Sequence, residues 1–324
     1  MGYRSTRPRV ASTGPFVRFE TGPTGTEFEV LDVPRTNTET DSAVDRADRW
    51  TNTYEASARV AIVNDDNHVR TTIEAGDAVL GARATTLEPL VVEVYGALGL
   101  DFVWIDLEHT GPSAFDAPAL EALSRAGDAA GIELLVRVPT GDPALVRTVL
   151  DAGVRTILVP RVESADDVRP AIEASRFSYD GEPGTRGAAA ARTNTWGARG
   201  RDPVREDAAV LVGAMIESET AIENAAEILA VPELGFVFLG PSDLSISLGL
   251  SFQTDHPDVR DALERARSAA LSAGVPVGCI ANDVETAQTA LGDGFQLLRI
   301  GDEIGAARTV LGERLAGIQE PNDE

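Results

Sequence analysis

Residues 210–243, VLVGAMIESETAIENAAEILAVPELGFVFLGPSD, contain two short apolar runs, VLVGAMI and FVFLG, separated by a stretch with helical periodicity. Each apolar run is followed by an acidic residue, Glu217 after the first and Asp243 shortly after the second. A short buried strand that alternates with an amphipathic helix is typical of a βα unit in a parallel sheet. The stretch therefore predicts a fold built of successive βα units.

The same alternation extends in both directions from about residue 67. Eight apolar runs in about 250 residues match the strand count and size of one (β/α)8 TIM barrel, predicted over residues 67–324. A doubly wound open sheet is the alternative, but no GxGxxG motif follows the first strand. The eight runs are AVLGA (78–82), DFVWID (101–106), ELLVRV (133–138), RTILVP (155–160), VLVGAMIE (210–217), FVFLG (236–240), VPVGCI (275–280) and QLLRIG (296–301).

Two segments fall outside this rhythm. Residues 1–66 are rich in Thr, Pro, Gly and Asp, and we predict that they form a poorly ordered N-terminal extension. Residues 177–207, between the fourth and fifth strands, are rich in Gly and Arg and lack a helical period. Long loops in compact domains are often functional. We expect this loop to leave the C-terminal, catalytic face of the barrel.

The composition excludes several classes of protein. The chain of 324 residues has 28 basic against 52 acidic residues, a net charge of −24, which argues against a nucleic-acid partner. All the basic residues are Arg, so Schiff-base aldolases and pyridoxal-phosphate enzymes are excluded. No apolar run is long enough to span a membrane, and residues 1–10 lack a signal-peptide core. We predict a soluble cytoplasmic protein with the acidic surface of a halophile.

Polar residues at the ends of the predicted strands are candidates for chemistry, because all strands of a barrel end at one rim. Glu217 and Asp243 lie one βα unit apart, so both could bind one hard cation such as Mg²⁺ or Mn²⁺. Alternatively, each is a helix cap or a surface acid.

Three further candidates lie on the same rim. His109 is either a general base or a buried structural histidine. Arg137 ends an apolar strand and needs an anion, which is either a protein carboxylate or a substrate carboxylate or enolate. The backbone of Gly240, Pro241 and Ser242 precedes a helix and offers N–H groups, except at Pro241, for a substrate carboxylate.

The ordered motifs of this chain resemble those of the HpcH/HpaI aldolase family, the metal-dependent class II pyruvate aldolases. The resemblance implies a (β/α)8 barrel that uses Mg²⁺, Mn²⁺ or Co²⁺ to cleave 4-hydroxy-2-oxo acids reversibly into pyruvate and an aldehyde. It also implies a homohexamer, a trimer of dimers that exchange a C-terminal helix. The motifs are DFVWIDLEHT, VRVPTGDPALVRTVLDAG, ILVPRVESADDV, GTRG, AMIESETAIEN and FLGPSDLSISLG.

The resemblance also implies roles for single residues. Glu217 and Asp243 would bind the metal, and Arg137 would stabilise the pyruvate enolate. His109 would be the base, oriented by Asp151, and Glu108 would lie near metal-bound water. Asp106, together with Arg137, Gly240, Pro241 and Ser242, is placed among the substrate-binding residues.

The chain departs from the family pattern at Arg83 and Thr110, and we expect both to line the aldehyde side of the pocket. Two other functions stay open. One is a lyase of the citrate lyase β-subunit or malyl-CoA lyase type, whose coenzyme A would need the loop arginines Arg186, Arg192, Arg199 and Arg201. The other is a non-catalytic barrel that binds a small acid.

Overall fold

A computed structural model of the chain describes residues 67–319, apart from residues 112, 114, 199 and 201. The predicted N-terminal extension, residues 1–66, lies outside this part of the chain. Eight parallel strands close into a barrel in the order β1-β8-β7-β6-β5-β4-β3-β2, which confirms the predicted fold. All eight apolar runs overlap the strands, which are β1 Val79–Ala84, β2 Phe102–Asp106, β3 Glu133–Arg137, β4 Thr156–Val159, β5 Leu211–Ile216, β6 Phe236–Leu239, β7 Val277–Ile280 and β8 Leu297–Asp302.

Helices connect the strands around the outside of the barrel. Side chains cap several of their N-termini: the Asp142 carboxylate accepts hydrogen bonds from two backbone N–H groups, and Ser164 and Asp167 form a capping box. The helices are α1 His68–Glu74, α2 Pro89–Ala97, α3 Ala117–Ala130, α4 Pro143–Asp151, α5 Ala165–Ser175, α6 Pro203–Ala209, α7 Glu219–Glu223, α8 Ala225–Leu229, α9 Pro241–Ser247, α10 Pro257–Ala273, α11 Val284–Gly292 and α12 Glu303–Gln319.

The interior of the barrel is apolar at one end and polar at the other. Alternate strand residues point inward, and large side chains such as Phe102, Leu135, Leu158 and Phe236 pack in one buried cluster. Further along β2 and β3, at the next inward-facing positions near the strand ends, the residues are the polar Asp106 and Arg137. The apolar cluster therefore forms the floor below a polar site at the C-terminal ends of the strands.

The Gly- and Arg-rich segment lies at the opposite end from the one we predicted. Helix α5 precedes it, so the chain has already returned along the outside of the barrel when the segment begins. The segment contains a short antiparallel pair, Ser178–Tyr179 with Glu182–Pro183, a 3-10 helix at Arg192–Gly197, and α6. It therefore leads from a helix into β5, at the N-terminal face, and the prediction that it leaves the catalytic face was wrong.

The last helix, α12, has no buried residue and exposes several large apolar side chains, among them Leu311, Leu315 and Ile318. No helix in the described part of the chain has the length and apolar character needed to cross a membrane.

Candidate active site

A cavity of about 170 Å³ opens at the C-terminal ends of the strands. Residues from β2, β3, β5, β7, β8 and the start of α9 line it, so the fold brings together side chains that are far apart in sequence. The lining residues are Trp104, Asp106, Arg137, Met215, Gly240, Pro241, Ser242, Asp243, Ile280 and Arg299. Five of the predicted substrate-binding residues and one predicted metal ligand are among them.

Arg137 is held by protein carboxylates. Its Nε and Nη2 donate to Oδ1 and Oδ2 of the fully buried Asp106 at 3.0 and 2.6 Å, and its Nη1 lies 3.1 Å from Oε2 of Glu108. The guanidinium also lies over the Trp104 ring, 5.7 Å from its centroid. Burial opposes ionisation of Asp106, but the hydrogen bonds and charge of Arg137 hold the pKa of its carboxyl below the usual range.

Of the two anions left open for Arg137, the structure therefore supplies the protein carboxylate. The bidentate pair fixes the guanidinium plane at the cavity wall.

Glu217, directly after β5, is buried, and only one of its two carboxylate oxygens is satisfied. Oε1 accepts a hydrogen bond of 2.8 Å from the backbone N–H of Arg161, while Oε2 is buried with no hydrogen-bond partner among the described residues. Burial, together with the negative charges of Asp243 and Glu108, raises the pKa of Glu217 to about 7. An unpaired buried carboxylate oxygen of this kind is suited to a cation.

Glu217 and Asp243 lie within electrostatic range of each other at the ends of adjacent strands β5 and β6. No group of three or more His, Cys, Asp or Glu side chains arranged to hold a metal ion occurs in the described part of the chain. Two carboxylates are nevertheless a typical protein contribution to a site for Mg²⁺, which keeps its other positions for water or substrate. The free Glu217 Oε2 and its acidic neighbour fit such a cation.

The backbone at Gly240, Pro241 and Ser242 lines the cavity but offers fewer donors than predicted. The N–H of Gly240 is already bonded to the carbonyl oxygen of Ile216 at 3.0 Å, and Pro241 has no N–H. Of the three residues, only Ser242 can offer a backbone N–H to a ligand.

His109 lies just beyond β2, with about half of its side chain exposed. Its Nε2 is 3.4 Å from Oε2 of Glu108, whose other oxygen accepts a hydrogen bond of 3.2 Å from Nε of Arg161. Glu108 thus connects His109 to Arg137, and the histidine is not a buried structural one.

The structure does not bring Asp151 to His109 within one chain. Asp151 ends α4, which runs back from the rim, and it therefore lies beside the start of β4 at the other end of the barrel. Burial raises the pKa of its carboxyl, against the opposing charges of Arg186 and Arg147. Orientation of His109 by Asp151 of the same chain is excluded by this topology.

Two residues that we did not single out from the sequence belong to the site. Arg299 lies within β8, directly after the apolar pair Leu297 and Leu298, and lines the cavity, whereas Arg137 is the last residue of β3. The signal that could have identified Arg299 is a guanidinium within a run of apolar residues on a predicted strand, where it would need an anion. Arg161, in contrast, donates its backbone N–H to Glu217 from a conformation with a positive φ of 53°. No sequence pattern predicts this backbone conformation.

The loop arginines proposed for coenzyme A do not face this site. Arg186 and Arg192 are buried in ion pairs with Glu206 and Asp128, in the segment at the N-terminal face. Arg199 and Arg201 lie outside the described residues. Arg186 and Arg192 are thus engaged by protein carboxylates and give no support to a coenzyme A substrate.

Comparison with known proteins agrees with this geometry. A hydroxypyruvate/pyruvate aldolase of Paraburkholderia phytofirmans is 32% identical over 244 residues, 74% of this chain and 92% of the relative. A 2-keto-3-deoxy-L-rhamnonate aldolase of Escherichia coli is 30% identical over 251 residues, 77% of this chain and 92% of the relative.

Among solved structures, an HpcH/HpaI aldolase/citrate lyase family protein from Burkholderia cenocepacia is 30% identical, with a TM-score of 0.73. The match covers 78% of this chain and all of that protein. The family model for HpcH/HpaI aldolase/citrate lyase matches residues 84–309, which include β2 to β8 and every residue of the cavity. The chain belongs to the HpcH/HpaI aldolase/citrate lyase family and is an enzyme of the aldolase type.

Proposed function

We propose that this enzyme is a divalent-metal-dependent aldolase that reversibly cleaves 4-hydroxy-2-oxo acids into pyruvate and an aldehyde. The observation that carries the proposal is the unpaired, buried Oε2 of Glu217, which lies against Gly240 in the wall of the cavity that Asp243 and Arg137 also line. The two relatives named above are aldolases of hydroxypyruvate or pyruvate and of a 2-keto acid, which supports a 2-oxo acid substrate.

The reaction needs an electron sink for the broken carbon–carbon bond. An iminium is unavailable because the chain has no lysine, so a Lewis acid is required. Glu217 and Asp243 would hold a divalent cation such as Mg²⁺, Mn²⁺ or Co²⁺, and when bound it would stabilise negative charge on the keto oxygen of the substrate.

The residues of the chain would carry the remaining steps. His109 would accept the proton of the substrate 4-hydroxyl, while the electron pair of the C3–C4 bond passes into the pyruvate enolate and the aldehyde leaves. Arg137, fixed in place by Asp106, would add positive charge where the enolate develops. Protonation of the enolate at C3 then gives pyruvate. Glu108, between His109 and Arg137, would position the histidine.

We further propose that the enzyme is a homo-oligomer, a hexamer built as a trimer of dimers, in which α12 packs on a neighbouring copy. The support is that α12 buries no residue within one chain although Leu311, Leu315 and Ile318 are apolar and exposed. An exposed apolar face of this kind is typical of an interface.

Release of pyruvate from 4-hydroxy-2-oxo acids tests the proposed activity. The assay uses Mn²⁺ or Mg²⁺ in high salt, with EDTA and Glu217→Ala as controls, and Glu121→Ala on the outside of α3 as a matched acidic variant. We expect metal-dependent pyruvate release that EDTA and Glu217→Ala abolish and Glu121→Ala leaves unchanged. A wild-type protein that binds Mn²⁺ yet releases no pyruvate from any such substrate would contradict the proposal.

A further inference from the structure

Two arginines on adjacent strands face the barrel interior across from the acidic pair. Leu297 of β8 lies in the interior cluster, so Arg299, two residues on, points inward. Val79 of β1 lies in the same cluster, which places Arg83, four residues on, on the inner face as well. Strands β1 and β8 pair directly, and Arg83 is in register with Asp302.

These two arginines carry more positive charge than their neighbours neutralise. Arg83 Nη2 lies 3.7 Å from Oδ2 of Asp302, which is too long for a hydrogen bond. The Nε groups of Arg83 and Arg299 are both buried and have no hydrogen-bond partner among the described residues.

The nearby carboxylates are already engaged elsewhere. Asp106 is held by both arms of the Arg137 fork, and Glu108 by Arg137 and Arg161. Glu303 accepts hydrogen bonds from the backbone N–H groups of Thr85 and Thr86 and from the Tyr95 hydroxyl. Among the described residues, Asp302 is thus the remaining nearby carboxylate that pairs with Arg83. Burial and the positive charge of Arg83 lower the pKa of Arg299, which shows the two guanidinium groups within electrostatic range of each other.

The position of Arg83 and Arg299 in the barrel indicates which end of a substrate they would contact. In the closed barrel, β1 and β8 stand opposite β5 and β4, while Glu217 follows β5 and Asp243 follows β6. If the 2-oxo acid end lies at the Glu217 and Asp243 side, the rest of the carbon chain extends across the cavity toward Arg83 and Arg299. Arg83 and Arg299 together with Asp302 have a net charge of +1, which complements the single negative charge of a substrate carboxylate.

We propose that Arg83 and Arg299 form a carboxylate-binding subsite for the distal end of the substrate, so that the enzyme prefers aldehydes that carry a carboxylate. This inference rests on the proposed aldolase function, since it assigns the 2-oxo acid end to Glu217 and Asp243. A guanidinium pair offers the fork geometry that a carboxylate accepts.

The test measures binding, so that it does not depend on turnover. 2-Oxoglutarate, 2-oxoadipate and 2-oxopimelate lack a 4-hydroxyl group and end in a carboxylate; each is compared with the 2-oxo acid of equal chain length that ends in a methyl group. Calorimetric titration into the full chain in excess Mn²⁺ gives both dissociation constants. The variants are Arg83→Gln, Arg299→Gln and Arg299→Lys, with Arg265→Gln on the exposed side of α10 as control.

We expect at least one dicarboxylate to bind about tenfold to a hundredfold more tightly than its methyl-ended partner, the range for charge-assisted hydrogen bonds. Arg83→Gln and Arg299→Gln should remove most of this ratio, Arg299→Lys should keep part of it, and Arg265→Gln should leave it unchanged.

Three results would overturn the subsite. The first is equal binding of the two series by the wild-type protein. The second is an equal loss for both series in Arg299→Gln, which would assign the pair to the shared 2-oxo acid end; both results leave the aldolase proposal intact. The third is no binding of either series in the presence of Mn²⁺, which would overturn the aldolase proposal as well.

Discussion

Gly240 lies so close to Glu217 that a Cβ at position 240 would stand 2.7 Å from the Glu217 Cβ and 2.8 Å from its Oε2. A side chain at position 240 would therefore push Glu217 out of place. We expect Gly240→Ala to weaken Mn²⁺ binding at least tenfold and to lower the melting temperature, because an overpacked buried site costs about 1–3 kcal/mol. Gly292→Ala, with open space around its position, is the matched control. Unchanged Mn²⁺ affinity in Gly240→Ala would argue against Glu217 as a ligand.

The raised pKa of Glu217 makes the stability of the metal-free protein depend on pH. Its folded-state pKa of about 7 lies above the ordinary value of 4.5, so the folded state holds a proton that the unfolded state releases. Stability contributed by this group is complete below about pH 4.5 and is lost as the pH rises through about 7.

We expect Glu217→Gln, measured in excess chelator, to gain stability relative to the wild type as the pH increases, by up to about 3 kcal/mol at pH 8. Urea denaturation at several pH values checks this. A difference that stays constant between about pH 5 and pH 8 would show that Glu217 titrates normally.

The buried pair of Arg137 and Asp106 should be costly to break. Asp106→Ala leaves a buried guanidinium with one carboxylate fewer, and we expect the free energy of unfolding to fall by about 3 kcal/mol. The exposed pair of Arg125 and Glu121 is the comparison, where Glu121→Ala should cost less than about 1 kcal/mol. Similar losses for the two variants would contradict the importance of the buried pair.

The last helix should control the oligomeric state. Leu311→Glu with Leu315→Glu places charges on the exposed apolar side of α12, and we expect the hexamer to dissociate into smaller species. Gel filtration with light scattering in molar salt measures the mass. Glu313→Gln, on the same helix, should keep the wild-type mass. A monomeric wild-type protein would end the hexamer proposal.

The barrel was predictable because every strand overlaps a short apolar run in the sequence, as β4 does with RTILVP. The face on which residues 177–207 lie was not predictable from their composition, because it depends on α5, which returns the chain to the N-terminal face before the segment begins. Strand ends identified Glu217, Arg137 and Asp243. The positions of the strand ends could not show that the Gly240 N–H is already hydrogen-bonded to the carbonyl oxygen of Ile216. This bond depends on the register between β5 and β6.

The location of Trp104 gives the enzyme an internal optical reporter. Its indole forms part of the cavity floor, is almost completely buried beneath the Arg137 guanidinium and meets the Phe238 ring edge-on at 4.8 Å. Trp196, at the other end of the barrel, is half exposed, so we expect its emission at longer wavelength. Trp50 lies outside the described residues, and Trp50→Phe removes its contribution. Ligand entry into the cavity can therefore be followed by the blue edge of the intrinsic fluorescence, without any label.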